Sequence, residues 1–346
     1  KYILKIMFSN EKNINNFFYY WLLFTFFLVL IMIIVGGLTR LTNSGLSITQ
    51  WELFKGVFPP LNSSAWENYF SLYKEIPQYE LINKNMSLQE FKVIFYWEYA
   101  HRILGRIIGL FFLIPVLFFS FKKNINMDYL KYCYLILFLI ILQGVIGWYM
   151  VKSGLVNNIS VSHYRLSLHL VTAFLIISII FWLILNKVNR DQKLFFKNQK
   201  YNYVFYFLIF IIFLQIVLGA FVSGLDAGKI YQTWPLMNSN YFPDDVVIQN
   251  INDVLNFNNH SLIQFYHRNL AYLIFISIIG LGFFIYKKKL NYLFKSYFLV
   301  VFFLFIQIIL GILTLTSGLN IFLASAHQIG SLSLILSVIY MHYIHI

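Results

Sequence analysis

Hydrophobic residues in this chain fall in long unbroken blocks, without the alternation of a half-buried strand or the one-sided stripe of a surface helix. Eight blocks reach about 20 residues, enough to cross a hydrocarbon core of about 30 Å. They cover approximately 17–38, 93–120, 128–151, 166–186, 203–224, 262–286, 294–315 and 322–345. Lipid offers no partner to a backbone N–H or C=O, so each block is expected to be a helix. Pro115 removes one donor from the second block and is expected to kink it. The expected fold is an all-α polytopic membrane protein.

Polar residues concentrate between the blocks, unevenly. The N-terminus carries Lys1, Lys5 and Lys12, and the second connection carries Lys122, Lys123 and Lys131. The fourth carries Lys187, Arg190, Lys193, Lys197 and Lys200, and the sixth Lys287, Lys288, Lys289 and Lys295. These basic tracts alternate with connections that lack them, which places them on one side, the cytoplasm or matrix. The chain is therefore expected in the bacterial cytoplasmic (inner) membrane, N-terminus inside, or in the mitochondrial inner membrane if eukaryotic. The outer side receives two long connections, about 39–92 and 225–261, with mixed charge, aromatics, Gly and Pro. Structureless loops of that length are unusual, so both are expected to be folded caps.

Composition narrows the reading. With 60% hydrophobic and 11% charged residues among 346, the chain has too much apolar surface for a soluble domain of this size. The net charge of +13 sits in the short inner connections and sets orientation, so it does not point to nucleic acid. Cys133 is the single cysteine, which excludes a disulfide and any thioether attachment of a cofactor through a paired-cysteine motif.

Beneath the eight blocks lies a repeat. The odd blocks end on the outer side with Ser44-Gly45-Leu46, Ser153-Gly154-Leu155, Ser223-Gly224-Leu225 and Ser317-Gly318-Leu319. These read as helix C-terminal caps in which Gly takes the left-handed conformation. Three odd blocks carry a Gln four residues before a Gly: Gln143/Gly147, Gln215/Gly219 and Gln307/Gly311. Small residues there allow close helix approach. Each even block begins with a histidine: His101, His169, His267 and His327. Glu98-Tyr99-Ala100-His101-Arg102 aligns with Gln264-Phe265-Tyr266-His267-Arg268, and Arg165–His169 with Leu323–His327. The expected organisation is two tandem pseudo-symmetric four-helix bundles, 1–190 and 191–346.

Two imidazoles facing each other in a four-helix bundle can ligate a haem iron axially. The natural pairs are His101 with His169 and His267 with His327. Zinc or copper could bind His alone, but no third His, Cys or carboxylate completes a matching set in the second half. The other histidines receive structural readings, His163 and His260 in outer loops, His342 and His345 at the inner C-terminal end. A buried haem also needs cations for its propionates, and Arg40, Arg102, Arg165 and Arg268 lie toward the outer side. Arg106 lies about a turn deeper. The repeat breaks at one informative place, where Glu98 in the first half is Gln264 in the second. Only the carboxylate can exchange a proton. A purely structural reading pairs Glu98 with Arg102 or Arg106.

Several segments resemble the signatures of the haem A synthase family, in its alphaproteobacterial and mitochondrial branch. They are Gly36–Ser47 (GGLTRLTNSGLS), Gly56–Asn62 (GVFPPLN), Phe95–Arg102 (FYWEYAHR), Ser162–His169 (SHYRLSLH), Thr233–Met237 (TWPLM) and Gln264–Arg268 (QFYHR). The chain departs from the branch that places a cysteine pair in its outer loops. The resemblance implies oxidation of the C8 methyl of haem O to the formyl of haem A. It implies that His101 and His169 hold the substrate haem, that Glu98 is catalytic, and that His267 and His327 hold a haem b. Implied partners are membrane lipid, the farnesyltransferase that makes haem O, the cytochrome oxidase assembly apparatus and an electron acceptor. Two other functions share the histidines: a di-haem b-type electron carrier oxidising quinol, and a haem transporter.

Overall fold

A computed structural model describes residues 11–50, 55–122, 125–155 and 160–346, and side chains from residue 16 onward. Eleven α-helices occur among these residues, and no strand is formed. Eight are long and apolar enough to cross a membrane: α1 (Glu11–Leu41), α4 (Leu88–Lys122), α5 (Met127–Gly154), α6 (His163–Val188), α7 (Asn202–Gly224), α9 (His260–Lys287), α10 (Phe294–Thr316) and α11 (Ile321–His345). Each coincides with one apolar block of the sequence. α4 continues through Pro115 without a break. Asparagines start several helices by accepting a backbone N–H of the first turn: Asn126 for α5, Asn259 for α9 and Asn320 for α11.

The long outer connections carry short helices. The first holds α2 (Ser63–Lys74) and α3 (Pro77–Leu81), and the second holds α8 (Ile251–Val254). α2 lays its aromatic face on the head of α4. Phe70 stacks on Phe91 with centroids 5.0 Å apart, and Trp66 meets Phe95 edge-on at 4.9 Å. The Gln78 amide donates to the Asn43 carbonyl at 3.2 Å and ties this cap to the end of α1.

The chain divides into two compact units. The first contains the residues up to 160 and 172–192, with α4 packed against α1, α5 and α2. The second contains 161–171 and 193–346. There α7 packs against α9 and α11, and α10 packs against α11 and α9, which closes a ring of four helices. The sequence boundary near 190 differs from this division by the segment 161–171. Gly224, the last residue of α7, supplies a physical reason. A Cβ there would lie 2.6 Å from the Cβ of His163 and 2.8 Å from its Cα, so only glycine lets the head of α6 come this close.

The repeated Ser-Gly pairs do not share one conformation. Gly318 alone has the left-handed backbone expected of a capping glycine, with φ +71°. Gly154 and Gly224 are the last helical residues, followed by Leu155 and Leu225 in right-handed geometry. At the end of α1 it is Asn43 that takes positive φ, at 51°. His163 and His260 are also not loop residues. Each opens a helix, and His163 is buried.

Candidate haem-binding and catalytic site

Glu98 is 2% exposed on α4 and receives four hydrogen bonds. Arg102, one turn on, donates Nε at 3.0 Å and Nη2 at 2.6 Å to Oε1. Oε2 accepts the Ser47 hydroxyl at 2.8 Å and the Ile48 backbone N–H at 2.9 Å. Arg102 also donates to the Ile48 carbonyl at 2.9 Å. The carboxylate therefore clasps the turn after α1 onto the head of α4. A carboxylate offers about four lone-pair sites, and all of them are used. Of the two readings open in the sequence, the pairing with Arg102 is present, while Arg106 turns to the Gly56 carbonyl at 2.8 Å.

Gln264 stands at the matching place in the second unit and is 3% exposed. Its amide donates to the Tyr231 carbonyl at 2.7 Å, and Arg268 donates to the same carbonyl at 3.1 Å and to that of Leu236 at 3.2 Å. The chain segment above the helix head is thus held in both units, with opposite polarity. Glu98 accepts from an N–H, and Gln264 donates to a C=O. Tyr231 in turn donates to the carboxylates of Asp244 and Asp245. Asp245 also accepts the Ser261 hydroxyl at 2.7 Å.

The histidines of the second unit sit on facing helices of its ring, His267 on α9 and His327 on α11. Each has one ring nitrogen, Nδ1, buried without a hydrogen-bond partner. Buried polar atoms are rarely left so, unless an ion or ligand completes them. In each, Nε2 lies 3.4 Å from the amide nitrogen of a glutamine, Gln215 or Gln307. Two imidazoles, each with an open nitrogen, within a ring of four helices form a donor set suited to axial ligation of a haem. Among the described residues no group of three His, Cys, Asp or Glu could hold a bare metal ion.

In the first unit His101 lies against α1, where a Cβ on Gly36 would come within 3.1 Å of its Nε2. His169 belongs to the segment grouped with the second unit. Arg40, at the end of α1, donates to Asn43 Oδ1 at 3.0 Å. Arg165 stands in the first turn of α6. Arg102 and Arg268 are both engaged with protein groups, as described. His342 and His345 are buried in the last turn of α11, where their Nε2 atoms meet the carbonyls of Phe195 at 3.0 Å and Lys200 at 2.8 Å. These two are structural ties to the preceding connection. Sequence reasoning missed Ser47 and Ile48 as partners of Glu98, although the Thr-Asn-Ser-Gly-Leu-Ser run marked their neighbourhood.

The family model described as COX15-CtaA, cytochrome oxidase assembly protein, matches residues 19–339. A relative from Pelagibacter ubique, named heme A synthase, is 50% identical over 94% of this chain and 96% of its own length. Proteins of the same name from Rickettsia canadensis and Bartonella tribocorum are 40% and 42% identical, over 90% and 85% of this chain and 92% and 82% of theirs. Likeness of that extent reaches both units and every transmembrane helix, and the chain belongs to the COX15-CtaA family of cytochrome oxidase assembly proteins.

Proposed function

We propose that this protein is a haem A synthase, a multi-pass enzyme of the bacterial cytoplasmic membrane that oxidises the C8 methyl of haem O to a formyl group. The observation that carries the reading is the unequal pair, a buried carboxylate at Glu98 against a buried amide at Gln264. One unit retains a group able to exchange a proton, and the other retains its shape without that ability.

In this reading His101 and His169 hold the substrate haem, on the strength of their sequence motifs. His267 and His327 hold a haem b, which supplies electron transfer when bound, and their buried open nitrogens fit that group. Arg40, Arg102, Arg165 and Arg268 remain candidates for the propionates by charge and side. With His101 and His169 both on the iron throughout, no position remains for oxygen, and water adds at the edge of the macrocycle. The methyl carbon loses two electrons to an external acceptor and one proton, and water adds with loss of a second proton. A second such step gives the gem-diol, which loses water to leave the formyl.

Glu98 faces the charge that develops and takes a proton from the adding water. Its lone pairs are filled at rest, and Ser47 provides the release. The single hydroxyl proton of Ser47 has two acceptors in reach, Glu98 Oε2 at 2.8 Å and the Ile94 carbonyl at 3.2 Å. Rotation toward Ile94 frees a site on Oε2 without moving the backbone.

Expression beside a haem O supply, followed by extraction of the haems, tests the function. A formyl-bearing product supports the enzyme. Unchanged haem O with both haems bound would leave the electron carrier or the transporter. Labelled water should enter the formyl group, with solvent exchange controlled. Label arriving from O2 would remove this water-addition route and mean that one histidine leaves the iron to let it activate oxygen.

A further inference from the structure

Two glutamines outside the assigned haem sites are built into the second unit in the same way. Gln215 on α7 donates its amide to the backbone carbonyl of His267 at 2.9 Å. Gln307 on α10 donates its amide to the backbone carbonyl of His327 at 3.0 Å. In each case the same nitrogen lies 3.4 Å from Nε2 of that histidine. One turn further along the donor helix stands a glycine under the imidazole. A Cβ on Gly219 would lie 3.2 Å from His267 Cε1, and one on Gly311 would lie 2.9 Å from His327 Cε1. Each histidine is thus gripped at its backbone carbonyl and bordered on its ring edge by the same two residues, four apart on a neighbouring helix.

We infer that Gln215 with Gly219, and Gln307 with Gly311, are positioning residues that set the ring orientation of His267 and His327. The inference rests on the reading of these histidines as haem ligands. A helical C=O already accepts the N–H four residues on, so the glutamine uses its second lone pair. That bond fixes the rise of α9 against α7, and of α11 against α10, at the ligand residue itself. The glycine leaves the ring edge room that a Cβ would take. Metal-ligating histidines depend on such outer partners for orientation and basicity. Whichever ring nitrogen meets the iron, its direction is set by these two contacts.

The test uses full-length protein purified with its haems. Q215M and Q307M keep side-chain length and remove the donor. Each is expected to retain its haem, to shift the low-spin electron paramagnetic resonance signal of the second-unit haem, and to lose that haem to apomyoglobin about 10-fold faster. A wild-type spectrum and loss rate in both variants would overturn the inference. A merely structural glutamine would lower yield while leaving the spectrum of the retained haem unchanged, and that result also overturns it. G219A and G311A press on the rings without touching the hydrogen bonds. They decide the matter in the same way if the glutamine variants do not accumulate. H267A and H327A run alongside. Full haem content in those two would sink the ligand reading itself, whatever the glutamine variants show.

Discussion

Gln264 donates its side-chain amide to the backbone carbonyl of Tyr231 at 2.7 Å, and with Arg268 it holds the chain above the head of α9. At the matching position Glu98 accepts from the Ile48 N–H at 2.9 Å. Swapping carboxylate and amide is therefore not neutral at either place, because each group has the polarity that its partner requires.

Replacing Glu98 with Gln should leave both haems bound and stop haem A production. Gln cannot satisfy donors on both of its terminal atoms, so its nitrogen must face Arg102 or Ile48. The conflict should destabilise the first unit by about 1–3 kcal/mol. Extracted haem and the unfolding temperature in detergent read the two effects separately. Normal haem A output from the variant would remove Glu98 from the reaction.

Arg102→Leu should be the more damaging change to stability. The Arg102 side chain is 11% exposed and that of Glu98 is 3% exposed, so deleting the cation strands a buried charge. Breaking such a pair costs roughly 3–5 kcal/mol. The double variant Arg102→Leu with Glu98→Gln should recover much of that loss while remaining inactive. No recovery in the double variant would mean that the pair is not coupled.

Ser47→Ala removes one of four donors and leaves the ion pair in place. It should bind haem normally, destabilise by roughly 1.5–3 kcal/mol at most, and change the pH profile of haem A formation more than its maximum. A pH profile identical to that of the unaltered protein would show that Ser47 takes no part in releasing the Glu98 lone pair.

The outer cap of the second unit should have its own acid limit. Burial alone would raise the carboxyl of Asp245, but hydrogen bonds from Ser261 and Tyr231 outweigh it and hold it below the usual carboxylate range. Burial, then hydrogen bonds to Asp244 and Asp245, raise the Tyr231 phenol. A depressed carboxyl contributes stability that is full above its unfolded value, about 3.9, and is lost as pH falls through its lower folded value. A raised phenol contributes below its unfolded value, about 10, and its contribution is lost at still higher pH. Proteolysis of the 225–261 connection should therefore be slow between these limits and quicken on the acid side. In Asp245→Asn the acid-side change should shrink, and an unaltered acid limit would show that this clasp does not hold the cap.

Glycine substitutions should separate close approach from open space. Gly224→Ala places a Cβ 2.6 Å from His163 and should cost about 1–3 kcal/mol. Gly109→Ala meets nothing within 4 Å and should be neutral or slightly stabilising in the middle of α4. Equal melting temperatures for the two variants would contradict the close approach of His163 to Gly224.

The eight helices were legible in the sequence because lipid leaves the backbone no partner outside its own segment. An apolar run of sufficient length has little choice, and each of the eight blocks became one helix. The histidines stood out in the sequence because polar residues recurring at the heads of apolar blocks have few structural explanations, and the fold places His267 and His327 on facing helices. What the sequence left open was settled by groups far apart along the chain. Ser47 and Ile48 reach Glu98 across about fifty positions because α1 packs against α4 and carries the turn after its end onto the head of α4. The Ser-Gly repeat looked uniform, yet only Gly318 is there for its backbone angle, while Gly224 is there for the space that a neighbouring helix needs. A helix is fixed by bonds within one segment, which local residues encode. The partners of a buried side chain are fixed by whichever segments tertiary packing brings to it, and those are specified by the chain as a whole.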